Sequence, residues 1–433
     1  MGIYLNSDDT DFRSAVKYSR IYVDKTELIR YTNSVLFGEQ KYICVSRPRR
    51  FGKSMAANML TAYYSRGCDS RELFQGLKIA THPDFEKHLN QYNVIHLNMQ
   101  NFLSKTQTIE QMIALITKAV GRDLLRAYPD VDYLDKTILT FMLDDIYQDC
   151  QVPFIFIIDE WDCIFRSRKN QLEEQTKYLD FLRDLLKDKS YIALAYMTGI
   201  LPIKKYGEHS AINVFYEYSM TDASPIEEFT GFTEQEVRKL CEQYNMPFSE
   251  TKKWYDGYCV DGVSIYNPKS VVEAMLRGKF SNYWTQTETY EALKIYIQSN
   301  EFGVQDVILK LLAGEKEKID TTTFSNDMVT FATKDDVLTL LVHLGYLTYN
   351  AETKEIWIPN DEVMEQFIST VKVMGWGSVV TALETSEKLL QATLSGDEQT
   401  VAELIEQAHQ ANASILKYND ENALSCVISL AYY

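Results

Sequence analysis

Apolar residues along this chain follow two interleaved patterns up to about residue 230 and a different one beyond it. The segments Lys41–Val45, Val94–Leu97, Phe154–Ile158, Tyr191–Tyr196 and Val214–Tyr218 are apolar runs of β-branched or aromatic character. They are nearly continuous rather than alternating, which predicts strands buried on both faces. Helical spacing fills the intervals, over Met55–Leu60, Ile109–Leu125, Ile138–Tyr147 and Leu172–Leu186. Strands alternating with helices predict βαβ units and an α/β fold with a parallel sheet covered on both sides. Residues 1–40 form a short helical or extended lead-in that carries Ile21–Thr26.

Near Thr230 the pattern changes. Thr233 with Glu236 three residues on has the form of a capping box, and a helix-rich stretch follows to about Trp376. A Tyr/Gly/Asp/Asn/Pro segment at Trp254–Ser270 interrupts it. Those aromatics either stack on a base or partner or form a rigid turn that docks the C-terminal part on the core. Gly and Asn-Pro are turn chemistry, which favours the second reading. Lys334–Leu344 reads as a helix, with Gly345–Tyr349 and Glu355–Pro359 as two short strands after it, a winged-helix-like order. From Ser378 the chain is helical again up to Tyr433. The expected division is therefore 1–230, 231–376 and 377–433.

Composition narrows the class. An apolar content of 45% and a charged content of 24% are those of a soluble globular protein. The net charge of −17 argues against general nucleic-acid coating, leaving only a local basic groove. The seven cysteines show no C-x-x-C pair, which predicts reduced thiols and no structural zinc. The stretch Tyr191–Ile203 is too short to span a bilayer, so a cytoplasmic protein without membrane contact is expected. His82, His88, His96, His209, His343 and His409 lack metal-ligand spacing and read as core or surface residues.

Chemistry concentrates at Arg47-Pro48-Arg49-Arg50-Phe51-Gly52-Lys53-Ser54, between the first strand and a helix. It ends as a phosphate-binding loop does, although Arg47 stands where G-x-x-x-x-G-K-[ST] begins with glycine. In that role the backbone N–H groups of Arg49, Arg50, Phe51 and Gly52 cradle phosphates. Lys53 neutralises the β- and γ-phosphates, and Ser54 offers its hydroxyl to Mg²⁺. The run Phe154–Ile158 then ends in Asp159-Glu160, the form of a Walker B strand. Asp159 would hold the Mg²⁺ shell and Glu160 would orient and deprotonate water. One strand lies between these motifs and another ends at Thr198-Gly199. This succession suits the additional-strand class of P-loop ATPases. Thr198 either occupies the sensor position near the γ-phosphate or is a turn residue. Arg47, Arg49 and Arg50 either add charge to the phosphate site or face solvent and acids. Arg166, Arg168, Lys204 and Lys205 are candidate charge-stabilising residues, in cis or across subunits.

These motifs resemble the predicted AAA-ATPase-like family of P-loop ATPases. The likeness rests on Tyr22–Thr26, Arg47–Ser54, Ile158–Asp162, Thr198–Ile200, Trp254–Tyr258, Tyr266–Ser270, Tyr283-Trp284 and Leu344–Thr348. Arg47 in place of glycine belongs to that family's pattern. The resemblance also implies that longer relatives carry a C-terminal PD-(D/E)XK nuclease domain, whose beginning Tyr418–Ala423 and the following apolar segment resemble. Nuclease activity is not expected of a chain that stops at Tyr433, which is either a shortened product or one that keeps only the ATPase machinery.

The expectation is an Mg²⁺-dependent ATPase that binds ATP and moves a C-terminal lid or effector region. The alternative is a nucleotide-gated binding module with little hydrolysis. A DNA or protein partner would meet the C-terminal region, and a homo-oligomer would allow an arginine to act in trans.

Overall fold

The computed structural model describes residues 2–168, 171–203, 212–284, 301–324, 331–373 and 388–412. Its centre is a five-stranded sheet of β1 (Tyr42–Ser46), β2 (Asn93–Asn98), β3 (Phe154–Asp159), β4 (Ile192–Gly199) and β5 (Tyr216–Tyr218). The strand order is β2-β3-β4-β1-β5, and every pairing is parallel. β4 thus lies between the strand that feeds the phosphate loop and the strand that ends in Asp159. That insertion defines the additional-strand arrangement of P-loop folds.

The continuous apolar runs are continuous because both faces are covered. Within β3, Ile155 and Ile157 enter one apolar core while Phe154, Phe156 and Ile158 enter the other. β1 divides the same way, Ile43 and Val45 against Tyr42 and Cys44. Alternation along a strand sends neighbours to opposite faces, so a buried parallel sheet needs apolar residues at every position. The fifth strand is shorter than the run Val214–Tyr218 suggests, because only Tyr216–Tyr218 pairs with β1.

Helices connect the strands at nearly the expected places, at Lys53–Tyr64, Ile109–Ala127, Leu139–Cys150 and Leu172–Leu186. Beyond the sheet, Thr233 and Glu236 form the capping box of the Glu234–Tyr244 helix. A hairpin of Tyr258–Val260 and Val263–Tyr266 turns at Asp261 and Gly262, both at positive φ, the geometry a two-residue hairpin turn requires. The Lys334–Leu344 helix is followed by antiparallel strands Thr348–Asn350 and Glu355–Trp357, and Glu317–Lys318 adds a third strand. One apolar core runs from the sheet through Phe51 and Tyr258 to Tyr346 and Phe367. No helix among the described residues is long and apolar enough to cross a membrane. The resemblance at Tyr418–Ala423 lies outside the described residues.

Candidate nucleotide site

The carboxyl ends of β1, β3 and β4 bring together the residues singled out in the sequence. β1 is followed by the loop Arg47–Gly52, and Gly52 caps the Lys53–Tyr64 helix at φ +88. A Cβ at Gly52 would meet nothing within 4 Å, so the helix N-terminus opens onto free space. That space belongs to a cleft of about 1060 Å³ whose lining includes Arg49 to Ser54, Glu160 and Arg166.

Ser54 Oγ donates to Asp159 Oδ2 at 2.7 Å. Thr198 Oγ1 donates to the other carboxylate oxygen, Oδ1, which also accepts the Glu160 N–H at 3.1 Å. Asn98, at the end of β2, reaches Asp159 Oδ2 at 3.4 Å. Four segments therefore converge on one carboxylate. The Ser54 hydroxyl beside the Asp159 carboxylate is an all-oxygen pair suited to a hard cation such as Mg²⁺.

Lys53 is almost fully buried and donates to the carbonyls of Arg47 (2.8 Å) and Pro48 (2.9 Å). Burial pushes its pKa down, and the Glu160 and Asp159 carboxylates oppose that shift. Glu160 and Arg50 both hold positive φ, 55° and 73°. Backbone strain in non-glycine residues tends to collect at functional sites, and here two such residues line one cleft.

The cleft has a second, apolar wall. Ile21 and Val23 of the lead-in meet Phe232, Pro268 and Val272 across it. Lys25 joins the two sides by donating to Glu236 at 2.6 Å and to the Glu228 carbonyl at 2.8 Å. The Tyr22–Thr26 and Tyr266–Ser270 motifs contain Val23, Lys25 and Pro268, whereas Ile21, Phe232 and Val272 carry no motif signal.

Arg47 requires a correction. Its side chain neither lines the cleft nor faces solvent, and it forms no ion pair among the described residues: it is completely buried, and its Nη1 donates to the carbonyls of Ser46, Tyr218 and Ser219 at 2.8–2.9 Å. It ties the start of the loop to the end of β5. Burial pushes its pKa down to about 10, and its Nε and Nη2 find no hydrogen-bond partner among the described residues.

Phe51 contributes backbone to the loop while its ring, fully buried, packs edge-on against Tyr258 at 5.1 Å. Its carbonyl accepts from the Gly231 N–H at 2.9 Å. Of the other candidate cations, Arg166 lies in the cleft and pairs with Glu160 and Asp162. Arg168 is engaged with Glu174 and the Gln107 carbonyl. Lys204 and Lys205 lie outside the described residues. Among the described histidines, His96 Nδ1 bonds Thr61 and His88 Nδ1 bonds Tyr92, both as packed residues.

Strand order and loop position together make the N-terminal part a P-loop fold of the additional-strand class. Residues 9–207 match the AAA-ATPase-like family model, described as predicted AAA-ATPase. A protein of Azotobacter chroococcum mcd 1, described as an uncharacterized protein in the vnfD 5′ region, is 23% identical over 275 residues. That match takes in 62% of this chain and 51% of the relative, so the chain spans about half the relative's length. Among solved structures, the Aeropyrum pernix ORC2 protein in its ADPNP-ADP complexes is 13% identical at a TM-score of 0.35, covering 82% of this chain and 97% of that one. The Aeropyrum pernix ORC1 protein in complex with DNA is 10% identical at a TM-score of 0.31, covering 82% and 96%. These two likenesses are distant, and the fold class rests on the chain's own strand order.

Proposed function

We propose that the cleft binds ATP with Mg²⁺ and hydrolyses it, and that the nucleotide state is transmitted to the C-terminal region. The observation that carries this reading is the hydrogen bond from Ser54 to Asp159, which joins a phosphate loop to an acidic strand end at one point. The open helix N-terminus at Gly52 and the charge of Lys53 suit the phosphates. The apolar wall of Ile21, Val23, Phe232, Pro268 and Val272 suits a base. Ser54 and Asp159 would hold Mg²⁺, which when bound neutralises charge on the phosphates.

The chain's own residues supply the remaining parts. Thr198 fixes the Asp159 carboxylate, and Lys53 exchanges its loop carbonyls for phosphate oxygens. Glu160 orients water and takes its proton as the water oxygen bonds to the γ-phosphorus. The bond to the β,γ-bridging oxygen breaks, leaving ADP and inorganic phosphate.

Transmission is supported by two contacts of the loop itself, Phe51 on Tyr258 and Pro48 beside Gly345. A shift of the loop on binding phosphate would act directly on the C-terminal part. The helix and hairpin at Lys334–Trp357 would form a winged-helix element there, able to meet DNA or a protein, and homo-oligomerisation would add contacts in trans. Any nuclease function would belong to a longer parent.

Steady-state hydrolysis tests the reading: Glu160→Gln should abolish turnover while retaining ATP, and Lys53→Ala should weaken triphosphate binding. Turnover unchanged by Glu160→Gln sinks the assignment. A second reading, a switch that holds ATP with little hydrolysis, is favoured by the engagement of Glu160 with Arg166. Single-turnover kinetics separate the two, since a switch retains intact ATP for hours.

A further inference from the structure

Arg166 stands on the short Cys163–Ser167 helix directly after β3, and it holds two acids that differ in freedom. Its Nε donates to Asp162 Oδ2 at 3.1 Å, and its Nη2 donates to Glu160 Oε2 and to Asp162 Oδ1 at 3.3 Å. Asp162 is an anchor. Its side chain is 0% exposed, and its Oδ2 also accepts the N–H groups of Ile200 at 3.0 Å and Leu201 at 2.9 Å, where the chain leaves β4. Glu160 is the loose partner, 26% exposed and facing the cleft. The guanidinium is thus fixed at one edge and releasable at the other.

This arrangement conflicts with catalysis as it stands. A carboxylate oxygen already accepting from a guanidinium is poorly placed to take a proton from water. A γ-phosphoryl group entering the cleft offers Arg166 a more highly charged acceptor, and a guanidinium binds phosphate as readily as carboxylate. Nucleoside diphosphate lacks that group and leaves the pair closed.

We propose that Arg166 changes partners on triphosphate binding: its outer edge leaves Glu160 for the γ-phosphoryl oxygens while its Nε stays on Asp162. One movement frees Glu160 to act on water and brings positive charge to the transferring group. The site thereby reads the third phosphate. This inference rests on the cleft being the triphosphate site proposed above.

The test compares Arg166→Gln and Arg166→Lys with wild type in Mg²⁺, measuring ADP and ATPγS affinity by calorimetry and ATP cleavage in single turnover. Arg166→Gln should leave ADP affinity within about twofold, lower the preference for ATPγS over ADP about tenfold, and slow cleavage about 100-fold or more. Arg166→Lys, which keeps charge without the two-edged geometry, should fall between. A merely structural role would not change the ATPγS-to-ADP ratio. Wild-type cleavage with Arg166→Gln equally fast or faster overturns this inference alone. Wild-type protein that binds neither nucleotide overturns the proposed function and this inference with it. Should thermal unfolding reveal that Arg166→Gln does not fold, an unchanged ratio in Arg166→Lys overturns the proposal.

Discussion

A Cβ atom placed on Gly345 would lie 2.7 Å from Cβ of Pro48, so the phosphate loop and the end of the Lys334–Leu344 helix touch backbone against ring. Gly345 also has φ +87, which a side chain tolerates poorly. Gly345→Ala should therefore destabilise the protein by about 2–4 kcal/mol, from positive-φ strain and overpacking. Chemical denaturation measures the loss. Nucleotide affinity in the same variant should fall as well, because the displaced neighbour belongs to the binding loop.

Arg47 predicts the opposite division between stability and binding. Arg47→Met removes the donor shared by three buried carbonyls and should cost about 3 kcal/mol or more. Under conditions where the variant is folded, its ADP affinity should stay within a few-fold of wild type, since no part of the guanidinium reaches the cleft. Thermal unfolding and calorimetry on one preparation check both halves.

Thr198→Val keeps the volume but strips the hydroxyl that donates to Asp159 Oδ1. A buried carboxylate oxygen that loses a donor costs about 1–3 kcal/mol, and single-turnover cleavage should slow by about 10- to 100-fold in proportion. Thr198→Ser should restore the rate. Wild-type rates in both variants would leave Thr198 only a packing residue at the end of β4.

Two buried groups set opposing pH dependences. Burial, reinforced by the Arg47 charge, pushes His343 from 6.5 down to about 3, so the unfolded chain binds the extra proton and stability falls as pH drops through that window. Burial pushes Glu362 from 4.5 up to about 7, against hydrogen bonds from Tyr283, Ser270 and Trp284 that favour its charged form. Here the folded state binds the extra proton, and stability falls as pH rises from 4.5 to 7. Glu362→Gln keeps an acceptor oxygen and removes that loss. Its stability relative to wild type should rise with pH by up to ~1.4 kcal/mol per unit across the window, read from urea midpoints.

Much of this site was legible because its signals are local. An apolar run closed by Asp159-Glu160 announces a strand end, and Gly52-Lys53-Ser54 announces a helix start beside an anion site. The strand succession placed Thr198 correctly at the end of β4. What stayed hidden depends on distance. Arg47 invited a phosphate-binding role because its charge is visible in the sequence, whereas the carbonyls of Tyr218 and Ser219 that surround it come from the last residue of β5 and the one after it. Nothing in the sequence sets Arg166 apart from Arg168, Lys204 or Lys205, since its value lies in sharing two acids, one of them fixed by the exit of β4. The apolar wall at Ile21 and Val272 joins segments far apart in the chain and leaves no periodic trace.

The burial of Phe51 under Tyr258 also bears on how this ATPase-like part can be handled in isolation. A fragment ending near residue 230 would lose Tyr258 and bare an aromatic ring in the middle of its own phosphate loop. Such a fragment should be prone to aggregate and weak in nucleotide binding even with every motif residue intact. The C-terminal part is then less a passenger than a missing wall of the loop.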